Sequence, residues 1–193
     1  RTRVRARVIS HALKDIIEDS DKVIVMGHRF PDMDAIGSAI GIAKVANMNN
    51  RPSYIVVDFK ELDTSVQRLM KEIKGNQELY SRFITPEDAY ELITDDTLLV
   101  IVDTHKPSMV IDEKLVRNIE KVVVIDHHRR GEEFINQALL VYMEPYASST
   151  AELVTELLEY QEKRSKIDML EATALLAGII VDTKRTFLFK KIK

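Results

Sequence analysis

The chain has 193 residues, 45% of them hydrophobic, so it is long enough to bury a core and does not resemble a disordered or fibrous sequence. Its 28 basic and 31 acidic residues give a net charge of -3 and are spread along the sequence, which argues against long nucleic acid as a partner. The lack of cysteine excludes disulfide scaffolds, thiolate metal sites and a cysteine nucleophile.

The first segment, residues 1–20, is predicted to be a lead-in helix before the main domain. Arginine occupies alternate positions from Arg1 to Arg7, and a helix-like apolar pattern follows at residues 8–17. These arginines are compatible with a basic patch for a phosphate or a membrane surface, but we favour a solvated helix that continues from a preceding domain. No apolar run approaches the roughly 20 residues of a membrane span, so we expect this fragment to be soluble and without direct membrane contact.

The rest of the chain alternates between strand and helix patterns. Four short runs rich in β-branched residues are typical of buried parallel strands. They lie at residues 23–26, 54–57, 98–102 and 122–125. Helical spacing separates them at residues 35–46, 65–73 and 86–93. This alternation predicts an α/β fold with an open, mainly parallel sheet flanked by helices.

Two of the helix starts carry recognisable signals. Thr85 is placed as a cap, with Pro86 at the first helical position. Ser149 and Glu152 have the spacing of a capping box, which predicts a helix to about residue 160. A last apolar helix is predicted over residues 168–180, ending just before Asp182.

Acidic and histidine side chains follow three of the predicted strands, at the end where each strand stops. In chain order they are His28, Asp32, Asp34, Asp103, His105, Asp126, His127 and His128. Asp182 adds a further acid after the last apolar segment. Since ligands bind at the carboxyl ends of the strands in such sheets, we expect these side chains to meet in one crevice.

Carboxylates gathered in this way repel one another and raise one another's pKa unless cations neutralise them. Carboxylate and imidazole without thiolate suit Mn²⁺ or Mg²⁺ and are compatible with Fe²⁺, Co²⁺ or Zn²⁺. The ligands exceed the need of one ion, so we predict two divalent ions, roughly 3.5–4 Å apart. Taken singly, Asp32 or Asp34 is equally well explained as a helix cap, but caps do not explain the whole set.

Four motifs resemble those of the DHH phosphoesterase superfamily, in the same order and with the same spacing. They read GHRFPDMDAIGS (27–38), VDTH (102–105), DHHRRG (126–131) and GIIVDT (178–183). Longer stretches, such as VVVIDHHRRGEEFI and YMEPYASSTAELVTELLEY, are most similar to the catalytic module of membrane-anchored cyclic-di-AMP phosphodiesterases of the GdpP type. The resemblance implies a DHH domain at residues 21–184.

The resemblance also implies a role for each candidate residue. Six would be metal ligands: His28 and Asp32 for one ion, Asp34, His127 and Asp182 for the other, and Asp103 as the catalytic bridge between the two. The metal ions, expected to be Mn²⁺, would hold a hydroxide that attacks phosphorus in line.

Further roles lie around the metal ligands. His128 would face the substrate phosphate. Judged from the residues themselves, Arg129 and Arg130 are either solvated loop residues or neutralise phosphate charge, and we favour the second reading for at least one of them, Arg129. Asp126 and His105 would support the metal ligands from behind.

The reaction implied by the resemblance is hydrolysis of cyclic-di-AMP to the linear dinucleotide pApA. Alternatives of the same chemistry are a nano-RNase, an oligonucleotide exonuclease like RecJ and a family II inorganic pyrophosphatase. A non-catalytic nucleotide-sensing domain would need a damaged ligand set, and a purely structural domain would bind no metal.

Members of the superfamily usually add a smaller C-terminal domain that grips the nucleotide, and this domain is missing from the sequence. Residues 185–193 are therefore interpreted as a truncated or discontinuous linker. The resemblance also implies a parent protein that holds the module at the cytoplasmic face of the cell membrane. Whether the module forms a homodimer is left open.

Overall fold

The computed structural model describes residues 3–161 and 167–191, without the side chains of residues 182–191. The helices are α1 (Arg3–Glu18), α2 (Met33–Met48), α3 (Thr64–Ile73), α4 (Gln77–Tyr80), α5 (Pro86–Leu92), α6 (Glu113–Asn118), α7 (Thr150–Glu159) and α8 (Met169–Lys191). The strands are β1 (Lys22–Met26), β2 (Ser53–Val56), β3 (Phe83–Ile84), β4 (Thr97–Val102), β5 (Lys121–Asp126) and β6 (Leu140–Met143). Among the described residues, no helix has the length and apolar character needed to cross a membrane.

The strands form one sheet in the order β3-β2-β1-β4-β5-β6, and each neighbouring pair is parallel. The predicted α/β fold with a parallel sheet is therefore confirmed. The chain builds one half of the sheet outward from β1 and then returns to place β4 on the other side of β1. This reversal opens a crevice at the carboxyl ends of β1 and β4, where ligands bind in sheets of this kind.

Helices cover both faces of the sheet. Along β1, Val23 and Val25 belong to one buried cluster, while Ile24 and Met26 belong to the other. The first cluster takes in the buried sides of α1, α2, α3, α7 and α8, and the second those of α5 and α6. Because both faces are covered, the central strands need the continuous apolar runs that identified them in the sequence.

The sequence pattern missed both edge strands, β3 and β6. The first has only two residues, and the second is half-buried at three of its four positions. Edge strands bury less of their surface, so they need no long apolar run and give a weaker signal. The four central strands and the helices α2, α3 and α5 lie where the pattern predicts, within one or two residues at most ends, whereas the short helices α4 and α6 were not predicted.

The last helix runs past its predicted end. α8 continues to Lys191, so Asp182 lies inside the helix, and the prediction that this acid ends the element is wrong. No glycine or proline follows residue 182 to stop the helix. The side chain of Asp182 lies outside the described residues, and its role as a metal ligand stays a prediction. The interpretation of residues 185–193 as a linker also stays a prediction.

Candidate metal centre

His28 and Asp32 lie in the loop that connects β1 to α2. The backbone of His28 pairs with Val110, and its ring Nδ1 donates to the carbonyl of Arg29 at 2.8 Å. These contacts turn Nε2 towards Asp103 Oδ2, 3.2 Å away, and Asp32 Oδ1, 3.7 Å away. Asp32 Oδ1 also accepts from the backbone N–H of Ala35 at 3.0 Å. Asp32 is therefore the N-cap of α2 and a member of the candidate site at the same time.

Asp103 lies at the centre of the cluster, directly after β4. Its φ of 63° is in the left-handed region, which is uncommon for a residue with a side chain and costs about 1–3 kcal/mol. Its backbone N–H donates to Ile125 O at 3.0 Å, which fixes it to the neighbouring strand β5. One carboxylate oxygen faces His28, while the other lies 3.5 Å from His127 Nε2. Asp103 therefore faces two separate groups of candidate ligands.

Asp34 and His127 form the second group with Asp103. Asp34 is completely buried, and its oxygens accept from the backbone N–H groups of Thr150 at 3.0 Å and Ala151 at 2.7 Å. The positive end of the α7 dipole thus stabilises the carboxylate. His127 Nε2 lies 3.6 Å from Asp34 Oδ2. The first two backbone amides of α7 therefore bind a carboxylate of the site. The N-cap of the helix is Ser149, as predicted.

Asp126 ends β5 and holds two histidines. It accepts from His105 Nδ1 and His128 Nδ1, each at 2.7 Å. Burial raises the pKa of Asp126, but the hydrogen bonds from His128 and His105 outweigh it and lower the pKa to about 2. His105 Nε2 accepts from the backbone N–H of Gly131 at 3.1 Å, so both ring nitrogens of His105 have protein partners. These contacts support the predicted supporting role of Asp126 and His105.

The charge on the cluster is visible in two pKa shifts. Burial raises the pKa of Asp103, since a buried carboxylate loses its hydration. Burial lowers the pKa of His28, but hydrogen bonds to Asp103, Asp32 and the Arg29 carbonyl outweigh it and raise the pKa to about 11. Without a bound metal ion, a protonated imidazole would compensate part of the carboxylate charge. A metal ion bound by His28 would displace this proton and supply the positive charge in its place.

The residues present fit divalent metal ions. Ligand atoms of His28, Asp32 and Asp103 lie within 4.8 Å of one another, and so do those of Asp103, His127 and His128. Asp103 is shared by both triads, and every donor is a carboxylate oxygen or an imidazole nitrogen. In the second triad His128 takes the place that the sequence resemblance gives to Asp34. However, His128 Nδ1 is hydrogen-bonded to Asp126, whereas both Asp34 and Asp103 lie beside His127. These contacts favour Asp34 over His128 as the third member of the second group.

A cavity of about 470 Å³ opens over the first triad. It is lined by His28, Asp32, Asp103, Thr104, His105, Lys106, Met109, Asp126, His128 and Arg129. Arg129 is thus at the cavity, while the guanidinium of Arg130 lies over the Phe134 ring, 4.1 Å from its centroid. Sequence reasoning overlooked Lys106, which brings a second cation to the cavity. From the sequence, the hydroxyls and helix-start amides of residues 148–150 are possible phosphate contacts, but the cap reading of Ser149 is favoured, and neither reading predicts that Thr150 contacts Asp34 and Asp103.

Comparison with known proteins adds to this geometry. A family model described as "DHH family, N-terminal domain" matches residues 22–179. A Bacillus subtilis (strain 168) protein named cyclic-di-AMP phosphodiesterase GdpP is 73% identical over 95% of this chain and 28% of its own length. A Listeria monocytogenes serotype 1/2a (strain 10403S) protein named cyclic-di-AMP phosphodiesterase PdeA is 56% identical over the same shares. The chain therefore spans little more than a quarter of these relatives.

A solved structure shares the fold at lower identity. It is an exopolyphosphatase-related protein from Bacteroides fragilis, with a TM-score of 0.73 and 22% identity, covering 92% of this chain and 50% of that one. At this identity the likeness concerns the fold alone.

Proposed function

The chain belongs to the DHH family, and from that premise we propose that it forms the metal-binding part of a phosphodiesterase that hydrolyses cyclic-di-AMP to pApA. The observation that carries the proposal is the position of Asp103, whose two carboxylate oxygens face separate groups of candidate ligands. The substrate is inferred from the names of the two relatives, which share more than half of their residues with this chain over the matched region.

In the proposed centre, His28 and Asp32 hold one Mn²⁺ ion, Asp34 and His127 hold the other, and Asp103 bridges them. Asp182 is expected to complete the second set. When two divalent ions are bound there, they lower the pKa of water and screen the charge of the phosphate. The buried contacts of Asp34 and Asp103 support this assignment, since they hold both carboxylates in place before any ion binds.

The remaining polar residues serve the substrate. Asp126 fixes the ring of His128 through Nδ1, so we assign its Nε2 to the scissile phosphate. Hydrolysis joins the oxygen of one water molecule to phosphorus, breaks the bond from phosphorus to the 3′-oxygen and places a proton on that oxygen. The His128 ring, held by Asp126 through Nδ1, can deliver this proton from Nε2 only in its doubly protonated form, and the proton that the attacking water loses would restore that form. Arg129 and Lys106, both at the cavity, balance the negative charge of the dinucleotide.

Turnover by the full-length protein tests the proposed substrate. With Mn²⁺ present, we expect cyclic-di-AMP to be hydrolysed faster than the linear dinucleotide pApA and faster than pyrophosphate. Faster turnover of pyrophosphate, or of pApA, would contradict the proposal. Nucleotide binding with no turnover of any of the three would instead favour the sensing domain.

Metal content tests the proposed centre. We expect two Mn²⁺ ions per wild-type chain after equilibrium dialysis, and loss of both in Asp103→Ala because the bridging ligand contributes to each site. Asp95→Ala removes an exposed carboxylate at the opposite end of β4 and should keep both ions. Two ions retained in Asp103→Ala would refute the bridge, and a metal-free wild type would refute the centre itself.

A further inference from the structure

Thr150, the first residue of α7, touches two candidate metal ligands at once. Its backbone N–H donates to Asp34 Oδ2 at 3.0 Å, and its hydroxyl donates to Asp103 Oδ1, also at 3.0 Å. Thr150 and Asp34 are completely buried, and Asp103 is 3% exposed. Since water has little access to these groups, the hydrogen bonds of Thr150 are a main source of order for the two carboxylates.

The two carboxylates are held by different kinds of donor. Asp34 accepts from two backbone amides of α7, those of Thr150 and Ala151, so the helix itself fixes its position. The carboxylate of Asp103 is oriented by a side chain, the Thr150 hydroxyl. This hydroxyl binds the oxygen that faces His127 and leaves the other oxygen for His28.

The Thr150 hydroxyl is not needed for the helix. Ser149 supplies the N-cap, since its side chain accepts from the backbone N–H of Glu152 at 3.1 Å. Further along α7, the hydroxyl of Thr155 donates to the carbonyl of Ala151 at 2.8 Å, the usual contact of threonine inside a helix. Thr150 stands at the first helical position, where its hydroxyl reaches across the fold instead.

We propose that Thr150 is a positioning residue that sets the arrangement of Asp34 and Asp103 around His127, and thereby the affinity of the metal ion held by those three residues. The inference rests on the proposed metal centre. Removing a partner that orients a metal ligand typically weakens metal binding by about 10–100-fold. The loss should fall mainly on the ion beside His127, because Asp103 keeps its contact with His28 on the other side.

Titration calorimetry with Mn²⁺ on the metal-free protein tests the inference. Thr150→Val keeps the shape of the side chain and the backbone N–H but loses the hydroxyl. We expect it to lower the affinity for one of the two Mn²⁺ ions by about 10–100-fold. Thr150→Ser restores the hydroxyl and should restore the affinity. Thr155→Val makes the same change within the same helix and should leave both affinities unchanged. His127→Ala identifies the affected ion, because it removes a ligand of that site only.

The outcomes separate this inference from the proposed function. If Thr150→Val binds both Mn²⁺ ions with wild-type affinity, or loses affinity for both equally, the role of Thr150 is overturned while the metal centre stands. Fewer than two ions bound by the wild type would overturn the centre itself. If Thr150→Val does not fold, Thr150→Ala must show the same selective loss, and its melting temperature without metal reports any effect on folding alone.

Discussion

At the scale of single residues, His28 determines how the metal-free site depends on pH. Its neighbours Asp103 and Asp32 raise its pKa to about 11, against about 6.5 in an unfolded chain. The folded protein therefore binds this proton more tightly than the unfolded chain does. The resulting stabilisation is complete below the unfolded pKa and is lost as the pH rises towards the folded one.

We therefore expect the free energy of unfolding of the metal-free wild type to fall between pH 7 and pH 10, more steeply than that of His28→Gln. The difference in slope is at most about 1.4 kcal/mol per pH unit, the value for one proton. Urea denaturation in the presence of a chelator measures it. His11→Gln, which removes a histidine from α1, is the matched control and should follow the wild type. Parallel curves for the wild type and His28→Gln would show that His28 carries no such proton.

At the scale of elements, α2, the helix that carries Asp34, packs closely against α8. α2 lies against the sheet on one side and α8 on the other, and most of its residues are buried. Gly37 lies on the α8 side, where a Cβ atom would come within 2.5 Å of the carbonyl oxygen of Ala174. Since that atom belongs to the backbone, α8 would have to move away to make room.

Gly37→Ala should consequently lower the free energy of unfolding by about 1–3 kcal/mol, as overpacked cores do. Alanine favours a helix over glycine by up to about 1 kcal/mol, so the expected loss is the outcome after this opposing gain. Chemical denaturation measures the change. Gly75→Ala is the control and should lose less stability. Gly75 is exposed, and the nearest atom to an added Cβ would be the carbonyl oxygen of Glu72 at 3.2 Å. A Gly37→Ala protein as stable as the wild type would show that α8 adjusts at no cost.

At the scale of the whole molecule, the candidate ligands come from separate parts of the chain and meet only in the folded state. His28 follows β1, Asp103 follows β4 and His127 follows β5, three strands that are adjacent in the sheet. The unfolded chain does not hold these groups together. A metal ion bound by them therefore stabilises the native state over the unfolded one.

Mn²⁺ is thus expected to raise the melting temperature of the wild type relative to chelator. The gain in the free energy of unfolding is about 2.7 kcal/mol when the free ion is at 100 times its Kd. Asp103→Ala, which lacks the bridging carboxylate, should show little or no rise under the same conditions. Equal melting temperatures of the wild type in Mn²⁺ and in chelator would contradict metal binding to the folded chain. Scanning calorimetry at fixed pH makes the comparison.

The sequence by itself determined the features that depend on local chemistry. Buried central strands require continuous β-branched runs, so β1, β2, β4 and β5 were visible without a structure. Acids and histidines at the ends of three of these strands predicted the crevice and its charge. The caps Asp32 and Ser149 were also readable, because a cap acts on backbone groups a few residues away. The end of α8 was misjudged because an acid was taken for a boundary where no helix-breaking residue stood.

Only the tertiary structure decided which groups hold the candidate ligands. Asp34 and Thr150 are 116 residues apart, and no local pattern shows that α7 would begin against a carboxylate of α2. The left-handed backbone of Asp103 also appears only in the structure, because a positive φ is uncommon even for aspartate and no local pattern predicts it here. The partners of His105 likewise come from β5 and from the loop after it. These contacts arise from the packing of distant elements, so they appear only once the chain is folded.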